Sequence, residues 1–125
     1  MINQQETTIQ EIEKIFFKHN RTLTLSNEKI LQNEISTIFT NNNIPFEKEF
    51  RLDDKNIVDF MINGLAIEIK INSKVSRMNI YRQLERYALN DKVETILLIS
   101  SKTMTLPESI NNKPIYILQL GRTQF

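Results

Sequence analysis

The chain has no cysteine and a single histidine, His19. The first absence excludes a disulfide framework and a thiolate zinc site. With one histidine, any metal must rest on carboxylates, which suits magnesium or manganese better than zinc. No apolar run approaches the roughly 20 residues that a membrane span needs. The polar start, Met1 to Glu6, lacks the apolar core of an export signal. There is no internal repeat and no low-complexity linker. These absences point to a cytoplasmic protein without a membrane partner. The abundance of Ile, Asn and Lys fits an AT-rich genome, such as that of a Firmicute or its phage.

The residues present fit one small domain over 1–125, with room for a single core. A net charge of +1, from 16 basic and 15 acidic side chains, decides nothing about nucleic acid. The local balance is more telling. From Lys70 to Lys92, six basic residues (Lys70, Lys74, Arg77, Arg82, Arg86 and Lys92) face two acidic ones, Glu85 and Asp91, a net of +4. Lys74, Arg77, Arg82 and Arg86 are therefore either phosphate contacts or an ordinary solvated helix face.

Hydrophobic periodicity predicts a helix from about Gln4 to His19, with Ile9, Ile12, Ile15 and Phe16 on one side. His19, near its C-terminal end, suits the helix dipole. A second helix follows Ser26 as N-cap and ends at Asn41-Asn42-Asn43. Its stripe is Ile30, Leu31, Ile35, Ile38 and Phe39, and at about 100° per residue Glu34 falls inside it. A carboxylate there needs a partner, either a core-edge lysine or a cation in a cleft. Strands follow over Phe46–Leu52, with Phe46, Phe50 and Leu52 on one side, then Ile57–Ile62 and Leu65–Ile71. Ser76 caps a third helix to about Leu89, with Ile80, Leu84 and Ala88 as its stripe. Val93–Ser100 is a buried strand, Pro107–Ile110 a helical turn, and Pro114–Leu120 a last strand. This order predicts an α/β fold, a mixed sheet flanked by helices. Its parts are an N-terminal helix (1–20), a core (26–100) and a C-terminal strand extension (101–125).

Asn63-Gly64 between two alternating runs marks a two-residue type I′ hairpin. That turn sets Asp59 opposite Glu68, with Val58, Phe60, Ile62, Leu65, Ile67, Ile69 and Ile71 on the core face. Asp59, Glu68 and Lys70 share the other face. Like charges directly opposite destabilise a sheet and push a pKa upward, so the pair calls for a cation between them. A divalent ion with a lysine beside it suits phosphodiester hydrolysis. On the third helix, Gln83 and Tyr87 stand four apart and offer an amide and a phenol to one neighbour, or else are plain surface and half-buried ring.

These residues resemble the PD-(D/E)XK nuclease superfamily. Glu34 matches the glutamate on the helix before the sheet. Ile57-Val58-Asp59-Phe60 matches the second motif, with Val58 in place of the proline. Glu68-Ile69-Lys70 is the E-x-K motif, and Gln83-Leu84-Glu85-Arg86-Tyr87 is similar to the Q-x-x-x-Y motif of the RecB-like branch. The resemblance implies a restriction-endonuclease-like αβββαβ core with an extra N-terminal helix. It implies that Asp59, Glu68, the main-chain carbonyl of Ile69 and Glu34 bind Mg2+ or Mn2+. It implies that Lys70 activates water and that Gln83 and Tyr87 hold the phosphate or tune Lys70. The expected activity is a metal-dependent deoxyribonuclease, a structure-selective endonuclease of DNA repair, recombination or phage DNA processing, similar to Holliday-junction resolvases. The expected assembly is a homodimer through helix 4–19, or a place in a larger recombination or phage complex. A non-catalytic nucleic-acid-binding module, or an interaction protein on the same scaffold, fits the same residues. DNA and RNA, and endo- and exonucleolytic cleavage, are equally compatible with them.

Overall fold

The computed structural model describes residues 3–71 and 74–121. The first two residues of the expected N-terminal segment and the last four of the C-terminal extension lie outside them. Helix α1 (Gln4–His19) is capped by Asn3, whose side chain accepts the Glu6 N–H at 2.8 Å. That bond satisfies one of the amide donors left free at a helix start. Ile9, Ile12 and Phe16 are buried, with Ile15 packed beside them. Helix α2 (Glu28–Asn41) begins one residue later than expected. Its cap is Asn27, which accepts the Ile30 N–H at 3.0 Å, and not Ser26.

The sheet is built from β1 (Glu47–Arg51), β2 (Ile57–Ile62), β3 (Leu65–Lys70), β4 (Thr95–Ser100), β5 (Ser109–Ile110) and β6 (Lys113–Gln119), with α3 (Arg77–Ala88) between β3 and β4. The strand order is β1-β2-β3-β4-β6-β5. β1, β2 and β3 pair antiparallel, β3, β4 and β6 parallel, and β5 returns antiparallel to β6. The fold is thus α/β with a mixed six-stranded sheet. Two expectations change by more than one residue at an end. Val93 is buried but precedes β4, in a turn where its N–H bonds to the Asn90 carbonyl. The helical turn expected at Pro107–Ile110 is instead β5, because Asn111 and Asn112 adopt left-handed φ of 51° and 65° and turn the chain back into β6. Among the described residues no helix is long and apolar enough to cross a membrane.

Both faces of the sheet are covered. α1 and α2 pack over Phe60, Ile62, Leu65, Ile67, Ile69 and Ile71. α3 packs Ile80, Leu84, Tyr87 and Ala88 against Val58, Met61, Ala66 and Leu98. The expected single face of β2 is broken at Asp59: Phe60 joins the first cluster and Val58 the second. The neighbouring strand switches sides in the same place. Phe46 packs on Phe39 and Phe60, whereas Phe50 and Leu52 lie with the α3 cluster. Glu49, between them, has a φ of 52°, which a non-glycine residue adopts at a steric cost and which reverses the side of the strand that follows. The apolar stripe of α1 is packed on its own sheet. Phe17, 78% exposed, is the large apolar side chain that α1 leaves outside.

Candidate functional site

The β2–β3 turn forms as its sequence dictates. Asn63 and Gly64 take φ of 45° and 85°, both positive as a type I′ turn requires. The resulting register pairs Ile62 with Leu65, Met61 with Ala66 and Phe60 with Ile67. The ladder stops there. At the next rung the two carboxylates take over the backbone bonds. Asp59 Oδ2 accepts the Ile69 N–H at 2.8 Å, and Glu68 Oε1 accepts the Asp59 N–H at 3.3 Å. Each acid therefore holds the other's strand, and Ile69 is drawn into the site through its amide.

Glu68 is 4% exposed. Burial first, and then the Asp59 charge, push its carboxyl up to about 8, against the pull of Lys70 and of the Asp59 N–H. Asp59 is also raised, chiefly by burial, and further by Glu28 and Glu49, while the Ile69 N–H and Lys70 oppose the rise. Lys70 Nζ lies 3.2 Å from Glu68 Oε2, and both side chains are largely enclosed. The Tyr87 hydroxyl donates to the Ile57 carbonyl at 3.0 Å. Burial raises its phenol, and the neighbouring Glu68 and Asp59 raise it further, so it stays a neutral donor.

The structure thus brings together Asp59, Glu68, Ile69, Lys70 and Tyr87. It does not bring Glu34. Glu34 accepts the Thr24 N–H and the Thr24 hydroxyl, each at 2.8 Å, and braces the segment before α2. The reason is a rotation of the helix. Ile30, expected in the buried stripe, is 48% exposed, and the face against the sheet is Leu31, Gln32, Ile35, Ile38 and Phe39. Gln32 and Glu34 lie about 160° apart around the axis, on opposite flanks of that stripe. Glu28 and Gln32, one turn apart, are the α2 residues that face the pair. Gln32 Nε2 is 3.5 Å from Asp59 Oδ1, and Glu28 Oε2 accepts the Ile71 N–H at 3.4 Å. Their i, i+4 spacing beside Leu31 and Ile35 is the signal that could have found them.

Gln83 is half-buried one turn before Tyr87, on the same flank of α3. Arg82 and Arg86 are exposed on one side of α3, and Arg86 Nε reaches Asn56 Oδ1 at 3.4 Å. Arg77 donates instead to the Thr105 carbonyl at 3.2 Å, and Lys74 is exposed in the turn before α3. The four basic residues therefore do not share one face.

The buried carboxylate of Glu68 beside the half-buried one of Asp59 makes an all-oxygen donor pair that fits a hard divalent cation. Among the described residues no three acidic or histidine side chains converge into a complete cage. A cation at Asp59 and Glu68 would keep open positions for water and substrate oxygens, as catalytic magnesium sites do. No protein-family model matches the sequence, and comparison with curated proteins and with solved structures gives no match.

Proposed function

We propose that this chain is a metal-dependent nuclease with a PD-(D/E)XK-type site, acting on DNA. The observation that carries the proposal is the buried Glu68 beside the half-buried Asp59, with Lys70 Nζ at 3.2 Å from Glu68. Two acids stand on neighbouring strands, one of them fully enclosed, with a lysine at hand and no role in the core. The α2-β1-β2-β3-α3-β4 order supports the corresponding nuclease core. Mg2+ or Mn2+ would neutralise charge on the scissile phosphate and acidify the attacking water. Asp59 and Glu68 would hold the cation, with the Ile69 carbonyl as a further donor, and the α2 acid on their side is Glu28, not Glu34. Lys70 orients water and stabilises the charge that develops on the phosphate. Tyr87 holds Ile57 and Glu68 in place, and Arg82 and Arg86 neutralise backbone phosphates. The cleavage proposed is structure-selective, and a homodimer would supply one site per strand.

The test is incubation with branched, linear duplex and single-stranded DNA in magnesium, manganese or EDTA. Metal-dependent cleavage that Asp59→Ala or Lys70→Ala lowers at least about 100-fold supports the enzyme. Binding that ignores metal, with no cleavage of any substrate, turns the assignment to a non-catalytic nucleic-acid-binding module. Sedimentation as a monomer at micromolar concentration contradicts the dimer.

A further inference from the structure

Gln32 is buried to within 6% of full enclosure, on the face of α2 that otherwise carries Leu31, Ile35 and Phe39. The polar side chains buried among the described residues are Gln32, Glu68, Thr95 and Ser100, so it is the one buried amide there. Leucine would fill such a position without the cost of desolvating an amide. The partner that offsets the cost is Asp59, whose Oδ1 lies 3.5 Å from Gln32 Nε2. Only the NH2 end of the amide can face an ionised carboxylate, because the opposite orientation sets two acceptors together. Asp59 Oδ2 is already fixed by the Ile69 N–H at 2.8 Å. Both oxygens of Asp59 are thus addressed by donors, one from β3 and one from α2.

We propose that Gln32 is a positioning residue for the cation site: its amide sets the rotation of the Asp59 carboxylate and ties it to α2. The inference rests on the nuclease proposal, in which Asp59 is a ligand. Outer partners of ligating carboxylates change metal affinity by about 10–100-fold when removed. Gln32 differs from a ligand in that it acts through Asp59.

Manganese titration of the protein without nucleic acid tests this. Gln32→Met keeps length and burial and loses the donor. Its Mn2+ dissociation constant is expected to rise at least about tenfold, with the metal-free melting midpoint close to wild type. Cleavage at low Mn2+ falls in parallel and recovers at saturating Mn2+. Gln32→Ala gives the same loss of affinity and the same recovery, on a less stable background. Wild-type affinity in a folded Gln32→Met protein overturns the inference and leaves the nuclease proposal standing. A loss that follows the melting midpoint of the two variants, without recovery at saturating Mn2+, assigns Gln32 to packing and also overturns it. A wild-type chain that binds no Mn2+ removes both.

Discussion

Glu68 ties the chemistry of the site to the stability of the fold. Its carboxyl stands at about 8 in the folded chain against 4.5 when free. Below the lower value both states hold the proton. Between the two, the unfolded chain releases it and the folded chain keeps it, so stability falls as pH rises, and the contribution is lost on passing the folded value. The raised Asp59 adds to the loss with the same sign. Metal-free protein should therefore lose on the order of a few kcal/mol between about pH 5 and pH 8. Glu68→Gln should flatten that slope, and saturating Mn2+ should reverse it in wild type alone. Thermal melts across pH measure all three, and a wild-type midpoint that rises over this range contradicts the burial of Glu68 beside Asp59. At this scale the acids and Lys70 were legible in the sequence because a two-residue turn leaves one register. Glu34 was misplaced because a helical stripe is read from apolar residues, and Ile30 is apolar yet 48% exposed. Counting Ile30 into the stripe brings Glu34 inside it, whereas the observed rotation brings Gln32 there.

The hairpin is the element that makes the site, and Gly64 is its tightest point. Its φ is +85°, and an added Cβ would sit 2.6 Å from Glu94 Oε2. Its carbonyl also accepts the Glu94 N–H at 2.8 Å, which fastens the turn to the start of β4. Gly64→Ala should cost about 1–2 kcal/mol from the left-handed backbone alone, a drop of about 5 °C in melting midpoint. A midpoint equal to wild type would show that the turn is not held in this form. Strands and helices were largely legible because their periods are regular. The exceptions have local causes. Glu49 at a φ of 52° reverses β1, so Phe46 and Phe50 part company. Asn111 and Asn112 make a hairpin from a segment whose proline suggested a helical turn. Left-handed backbone at Glu49 leaves no mark in a hydrophobicity pattern.

Across the whole molecule the net charge is only +1, so the proposed binding to DNA has to rest on local groups. Arg82 and Arg86 stand together on exposed α3, whereas Arg77 is turned to the Thr105 carbonyl. Replacing Arg82 and Arg86 by Ala should weaken DNA binding at low salt and lower the slope of log affinity against log salt by about 1.5–2. An unchanged slope moves the interface off this face. The sheet order and the spending of α1's stripe inside the fold could not be read from the chain, because both depend on which elements meet. The central claim is narrower than the fold: Asp59 and Glu68 hold a catalytic cation and Lys70 acts beside it. Single-turnover DNA cleavage by Lys70→Ala, at a Mn2+ concentration shown by titration to saturate that variant, tests this most directly. Retained Mn2+ binding with cleavage lowered at least about 100-fold is expected. Cleavage at the wild-type rate by the Mn2+-loaded variant would contradict it.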